Sequence, residues 1–460
     1  MSDSFLFNPI SAHRFSILTM ARHPWATFFV KECAFYSSQD ESILATIIQD
    51  STDNEYSIIF LGRDQDRRFR WIGGSLESYD SLQEAKDDIY NTFIKNKLSG
   101  KLFPQESLGN PINIFISVGP EDRLHESFVL LRDSPGYSAA KYAISEIANA
   151  FKDKDGNFIE QFQTTGFDSR VFELAMFAFL YEEHFAIDEN SAYPDFICSK
   201  FGSAICIECT TVNANPDFDL KVFPTSREEL LPIMENYIPL KFSKTLYSKL
   251  EKIYSDGKHY WEKPSVIGKP LIFAIEDFHF PASMTWCPMA IASYLYGYRY
   301  KAEYDAEGKL RLIPLKIDFH SWNGITRPSG FFNLTNSENI SAVIFTNSAT
   351  ISKFQRMGTL ADFGDHSVKV FRHGLLYDSQ PNATEGLSVN ILVAPPYEET
   401  WGDGMNMFHN PNALHPIDEN LFPSIAHHYL QEDKTVISKI PNPWWISSIT
   451  HICIPNSGER

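Results

Sequence analysis

The stretch YPDFICSKFGSAICIECTTVN (Tyr193–Asn213) decides our interpretation of the fold. Two short apolar runs flank a turn that contains glycine, which is typical of a β-hairpin. Each run nevertheless carries one acidic residue: Asp195 follows a proline at the start of the first run, and Glu208 lies within the second. A buried carboxylate is costly unless it is paired or bound to a cation. The presence of two carboxylates in a hairpin that should be buried therefore indicates that they have a functional role.

The composition is that of a globular protein with two or three domains. The chain has 460 residues, of which 43% are hydrophobic and 21% charged. It has no apolar run long enough for a transmembrane helix, and its start lacks the pattern of a signal peptide, so we expect neither. Six scattered cysteines suit a reducing compartment, which predicts a cytoplasmic protein.

The charge of the chain limits how it would meet a polyanion. A net charge of −18 argues against a protein that coats nucleic acid non-specifically. Residues 241–269 are locally basic, with seven lysines against three acids. A solvated helix face explains most of these lysines, and a local basic channel remains the alternative.

The pattern of segments divides the chain into three regions, 1–135, 136–300 and 301–460. The first region alternates β-rich segments with one helix and ends in a predicted strand, INIFISV (residues 112–118), which indicates a small α+β domain. The boundary at residue 300 is weak, because nothing there resembles a linker.

A predicted helix over residues 167–184 supplies a third carboxylate. Between Val171 and Tyr181 every residue except Glu173 is apolar or aromatic, which indicates a buried helix. Two explanations of Glu173 stay open at this point. Either it pairs locally with Arg170, or it belongs to the same site as the hairpin carboxylates.

The order of predicted elements connects these residues. From residue 167 onward it is helix, three strands, an insertion, a helix and a strand, so the three carboxylates fall on the first helix, the second strand and the third strand. Alternation along the third strand places Cys206, Glu208 and Thr210 on one face.

This order and these residues resemble the PD-(D/E)XK superfamily, the restriction-endonuclease-like nucleases. The matching motif is Pro194-Asp195 followed by Glu208-Cys209-Thr210, with Glu173 as the helix carboxylate that some members carry. The resemblance covers about 110 residues, Phe167 to Phe278. More loosely, the whole chain is similar to uncharacterised bacterial proteins that carry such a core. The resemblance implies an α+β fold whose restriction-endonuclease-like core is flanked by N-terminal and C-terminal α+β regions.

The implied activity is hydrolysis of phosphodiester bonds with Mg²⁺ or Mn²⁺ as cofactor. Oxygen ligands hold such ions, which lower the pKa of a bound water and polarise a phosphoryl oxygen. The resemblance assigns Glu173, Asp195 and Glu208 as metal ligands. It further implies nucleic acid, with DNA as the expected substrate, a homodimer by analogy, and a role in defence against foreign DNA.

The sequence departs from the family at Thr210, where the superfamily usually has a catalytic lysine that stabilises developing negative charge. Either a lysine reaches the site from elsewhere or catalysis is impaired. On the helix after the insertion, Phe242, Leu246, Leu250 and Ile253 define the apolar face.

Two lysines of this helix are our candidates for the missing cation. Lys249 lies at the edge of the apolar face and is the first candidate. Lys252 lies further round and is the second, and we otherwise expect it to bind substrate. For both, the alternative is a stem that covers the edge of the core.

Other residues give weaker signals. A strand, a turn and a helix that starts near Ala349 place Lys353 and Arg356 where they would contact a substrate phosphate, although an ordinary capped helix explains the same pattern. Asp277 and His279, after the last core strand, fit either the cleft or a turn. The rival function is a binding module for nucleic acid or protein that keeps the nuclease fold without catalysis.

Overall fold

The structure is a computed structural model that describes residues 7–96, 113–154, 156–188, 190–191, 193–212, 224, 226–277, 283–308, 310–380, 383 and 385–455. It is a mixed α/β structure of the α+β type. No helix within these ranges has the length and apolar character needed to cross a membrane.

The N-terminal region folds around an antiparallel sheet. Its elements are β1 (Phe7–Pro9), α1 (Ala12–Leu18), β2 (Val30–Ser38), β3 (Ile43–Asp50), β4 (Tyr56–Arg63), β5 (Phe69–Gly74) and α2 (Leu82–Lys95). The strands pair in sequence order, and α2 covers one face of the sheet through Ala85, Ile89 and Phe93.

The strand predicted at residues 112–118 is absent from 113–118, the part of it that the structure describes. The side chain of Gln163 holds this segment instead. Its amide nitrogen donates to the carbonyl groups of Ile114 and Ile116, each at 2.8 Å, and its oxygen accepts from the backbone of Val118 at 2.9 Å. A side chain has thus taken the hydrogen bonds that a neighbouring strand would have made.

The middle region contains the predicted order of elements. They are α3 (Glu126–Asp133), α4 (Ser138–Ala150), α5 (Phe158–Gln163), α6 (Phe167–Glu182), β6 (Ala186–Ile187), β7 (Phe196–Lys200), β8 (Ser203–Val212), α7 (Arg227–Pro232), α8 (Ile238–Leu250), β9 (Leu271–Asp277) and α9 (Ser283–Tyr296). Helix α8 ends at Leu250, so Ile253, predicted on its apolar face, is 61% exposed in the following loop.

Within its described residues, the last region contributes further strands and one α-helix. They are β10 (Tyr298–Tyr304), β11 (Leu310–Lys316), β12 (Phe319–Trp322), β13 (Ile325–Pro328), β14 (Ala342–Thr346), α10 (Ile351–Leu360), β15 (Lys369–Leu376), β16 (Leu387–Leu392), β17 (Asn406–His409), β18 (Ala426–Leu430), β19 (Val436–Lys439) and β20 (Trp445–Cys453). Strands β10–β11 and β12–β13 form hairpins, and β15, β16 and β20 form a small sheet.

A central sheet joins the middle and last regions. Across the described residues its strand order is β19-β18-β17-β14-β9-β8-β7-β6. Strand β9 runs parallel to both β8 and β14, so the last region extends the sheet of the middle region across residue 300. The two regions therefore share one core.

Alternation along β8 separates two apolar layers. Ile205, Ile207 and Cys209 face the layer that contains α6, whereas Cys206 faces the layer that contains α8. Helices α6 and α8 thus pack on opposite faces of the sheet. By the same alternation, Glu208 lies on the same side of the sheet as Cys206, which is the side of α8.

Candidate functional site

The β7–β8 hairpin brings together the two carboxylates that the sequence separates. Phe196 pairs with Ile207, so Asp195, one residue before β7, comes next to Glu208 in the same register. An oxygen of Asp195 accepts a hydrogen bond from the backbone of Cys209 at 2.6 Å. Two rigid strands therefore fix the position of both side chains.

Glu208 is held through only one of its two oxygens. The side chain is 5% exposed, and Oε1 accepts hydrogen bonds from Nζ of Lys249 and from the hydroxyl of Tyr260, each at 2.5 Å. Its Oε2 is buried and has no hydrogen-bond partner among the described residues. A buried carboxylate oxygen without a donor is costly, so it marks a place where a cation would be stabilised.

Lys249 is the lysine that the structure brings to the site. Burial alone would lower its pKa, but the charge of Glu208 and the hydrogen bond to it raise the pKa above the ordinary value, which keeps the amine charged. Thr210, half-buried two positions after Glu208 on β8, has no such charge. The cation that contacts Glu208 therefore comes from α8.

Glu173 is close to these groups but is already paired. Its side chain is 13% exposed and contacts Arg170 at 2.6 Å, and Arg170 also donates to Gln161 and Asn157. Burial, only partly offset by Arg170, raises the pKa of Glu173, and the charge of Glu208 adds to this rise. The local pairing considered from the sequence is thus the arrangement that the structure has.

Asp195 carries the electrostatic signature of a crowded acidic site. Burial raises its pKa well above the ordinary value, and the negative charges of Glu208 and Glu173 raise it further. Lys249 and the backbone of Cys209 oppose this rise without cancelling it. The cluster therefore retains an excess of negative potential.

Lys252 lies beside the carboxylates and is not on the helix. Its Nζ donates to the hydroxyl of Tyr260 at 3.1 Å, and burial lowers its pKa. Asp277, at the end of β9, is buried. His279, the other residue considered there, lies outside the described residues.

Sequence reasoning missed Tyr260 and Lys154. Tyr260 reaches Glu208 across 52 positions, and Nζ of Lys154 donates to the backbone carbonyl of Asp195 at 3.0 Å across 41. Lys152, Lys154 and Arg170 line one cleft with Glu173 and Asp195. Only the proximity of Tyr260 to the lysine-rich segment could have suggested it from the sequence.

Lys353 and Arg356, expected to contact substrate, lie elsewhere. Their side chains are 2% and 3% exposed, and both contact Glu399 at 2.8 Å. Although burial alone would raise the pKa of Glu399, the charges of Arg356 and Lys353 hold it well below the ordinary value. Both cations are committed to a buried ion network, so we remove them from the candidate site.

The geometry limits the kind of metal site that fits. Within the described parts of the chain, no group of three or more His, Cys, Asp or Glu side chains is arranged to hold an ion. Mg²⁺ commonly takes only one or two protein carboxylates, with waters and substrate phosphates as its other ligands. Asp195 and the buried Oε2 of Glu208 fit that smaller requirement.

Comparison of the chain with models of protein families, with curated proteins and with solved structures finds no match.

Proposed function

We propose that this protein is a metal-dependent nuclease with a restriction-endonuclease-like core. The observation that carries the proposal is the state of Glu208. Lys249 and Tyr260 fix one oxygen, and the other is buried without a donor beside Asp195. Such an arrangement is costly in the protein alone and is explained if a cation binds there.

The residues have separate roles in this proposal. Asp195 and Glu208 hold Mg²⁺ or Mn²⁺, which when bound lowers the pKa of a water and polarises a phosphoryl oxygen. Lys249 supplies the positive charge that Thr210 lacks, and it stabilises negative charge that develops on the phosphate. Glu173 is paired with Arg170. It contributes to the negative electrostatic potential of the site but is not a required ligand of the metal ion.

The topology around the site supports the proposal. Helix α6, strands β6 to β8, helix α8 and strand β9 follow one another as in the resembled core, and β9 runs parallel to β8. The helices pack on opposite faces of the sheet. Because a fold alone does not determine an activity, the proposal depends mainly on the site residues.

The proposed substrate is nucleic acid, and DNA is the first candidate. The proposed biological role is defence against foreign DNA, and the proposed assembly is a homodimer. The second candidate function is a binding module without catalysis. The observation that favours it is that Arg170 and Lys249 already neutralise two of the three carboxylates.

The test is cleavage of labelled double-stranded DNA, single-stranded DNA and RNA with Mg²⁺ or Mn²⁺. We expect cleavage by the wild type and none by Glu208→Ala or in the presence of a chelator. Lys244→Ala, which changes an exposed lysine of α8, is the matched control and should cleave normally. Binding without cleavage under every condition would support the binding module instead.

A further inference from the structure

A surface of tyrosine and lysine side chains adjoins the carboxylates. It consists of Tyr193, Lys252, Tyr254 and Lys263, which lie over the fully buried ring of Tyr260, and we call it the tyrosine–lysine surface. Nζ of Lys252 lies 6.0, 4.7 and 5.3 Å from the ring centroids of Tyr193, Tyr254 and Tyr260. Nζ of Lys263 lies 4.1 Å from the centroid of Tyr254. Cation–π contacts at these distances hold the rings in a defined arrangement.

This surface is continuous with the candidate site. Tyr260 donates to Glu208, and Tyr193 precedes Asp195 by two residues, which places their Cα atoms within about 7 Å. The charges of Glu208 and Asp195 act on both Lys252 and Tyr254. A group that contacts Tyr193 would therefore be a near neighbour of a phosphate at Asp195.

Tyr193 combines a fixed position with exposure. Its ring packs against Tyr254 with centroids 4.9 Å apart, and its carbonyl accepts a hydrogen bond from the hydroxyl of Ser265 at 3.3 Å. The residue is nevertheless 47% exposed. A rigid aromatic ring that is half open to solvent is a suitable platform for stacking a planar group.

The charges favour short-range stacking over a long-range attraction for a polyanion. Nζ of Lys263 contacts both oxygens of Asp256 at 2.8 Å, and Lys252 is held over the rings. The whole chain has a net charge of −18. A ligand that contributes only phosphate charge would gain little here, whereas one that also presents aromatic faces would gain stacking.

We propose that the tyrosine–lysine surface binds an unpaired base of single-stranded nucleic acid next to the phosphate at Asp195 and Glu208. This inference deepens the proposed nuclease function and rests on it. Bases in a duplex are already stacked on one another, so their faces are closed to Tyr193. The substrate class is therefore single-stranded nucleic acid, which is narrower than nucleic acid in general.

The experiment measures fluorescence anisotropy with labelled probes of roughly twelve nucleotides, within the usual site sizes for single strands. The probes are single-stranded DNA, RNA of the same sequence, and duplex DNA. All variants carry Glu208→Gln to prevent cleavage. Tyr193→Ala removes the ring, Tyr193→Phe retains it, and Tyr90→Ala removes a tyrosine that is 56% exposed on α2 and serves as the matched control.

We expect single strands to bind more tightly than duplex. Tyr193→Ala should weaken single-strand binding about 5- to 150-fold, the range for loss of one base–aromatic stack, whereas Tyr193→Phe and Tyr90→Ala should bind like their parent. Duplex that binds as tightly as single strands, or single-strand binding that Tyr193→Ala leaves unchanged, would overturn the inference.

Cleavage by the protein with Glu208 intact separates the two proposals. Metal-dependent cleavage that Tyr193→Ala does not affect would leave the nuclease standing and overturn the stacking surface. Single-strand binding through Tyr193 without cleavage of any substrate would support the surface and overturn the nuclease.

Discussion

The hydroxyl of Tyr260 and Oε1 of Glu208 lie 2.5 Å apart, although 52 positions separate them in the sequence. Tyr260 donates this hydrogen bond while it accepts one from Lys252. Burial and the adjoining charge of Glu208 raise the pKa of Tyr260, so the hydroxyl remains a donor. The tyrosine thereby fixes which oxygen of Glu208 is engaged and which one is left for a cation.

Tyr260→Phe should therefore weaken cation binding and lower stability. Loss of a hydrogen bond to a charged group costs about 1.5–3 kcal/mol. Mn²⁺ titration by calorimetry and urea unfolding would measure the two effects. Tyr90→Phe is the control, because Tyr90 is 56% exposed on α2. Equal Mn²⁺ affinity in both variants would contradict a positioning role for Tyr260.

Lys249→Ala should abolish most cleavage and lower stability by about 1–3 kcal/mol, because it removes a charged donor from a buried carboxylate. Loss of a residue that stabilises transition-state charge typically lowers kcat by about 10²–10³-fold. Steady-state cleavage and thermal unfolding would be compared with Lys244→Ala, which lies exposed on the same helix. Full activity in Lys249→Ala would contradict this role and would make Lys252 the candidate for the missing lysine.

The response to Mg²⁺ should increase with pH through Asp195. Because its pKa is raised in the folded state, the stability from its bound proton is present at low pH and is lost as the pH rises through the folded pKa. A cation competes with that proton, so the rise in Tm on adding Mg²⁺ should grow as the pH increases above the ordinary pKa of an aspartate and through the raised pKa of Asp195. Asp195→Asn should show a small shift that does not depend on pH, and a wild-type shift that is flat with pH would argue against the site.

Glu173→Gln should leave most of the Mg²⁺-induced rise in Tm intact, whereas Glu208→Gln should abolish it. Arg170 already compensates Glu173, and the neutral variant keeps the hydrogen-bonding shape of the side chain. Differential scanning fluorimetry with and without Mg²⁺ would measure both. If the two variants lose the shift equally, Glu173 is a ligand, as the family resemblance implied.

Glu399→Gln should destabilise the protein by about 3–5 kcal/mol without a specific effect on the site, because it removes the charge of the carboxylate that both buried cations, Lys353 and Arg356, contact. Chemical denaturation would measure the loss. Cleavage per folded molecule should equal that of the wild type. A selective loss of nucleic-acid binding at unchanged stability would restore the substrate-binding role first assigned to Lys353 and Arg356.

Short-range patterns in the sequence predict the local elements around the site. Alternation in β8 and the apolar pattern of α6 and α8 depend on neighbours a few residues apart, so the hairpin, the helices and their order could be predicted. That Asp195 and Glu208 share a site was implied by the family resemblance, and the register of the hairpin places them side by side. Lys249 was predicted from its place at the edge of a helical face.

The partners that those residues take depend on the tertiary structure. Tyr260 contacts Glu208 from a short 3-10 helix (Tyr260–Glu262), and the side chain of Gln163 takes hydrogen bonds expected of a strand pairing. Glu399 pairs with two buried cations that were expected to contact a substrate. The last region joins the central sheet through β14 although no local pattern marks the connection. Contacts of this kind link residues far apart in the chain, and short-range periodicity carries no information about them, because they depend on how whole elements pack.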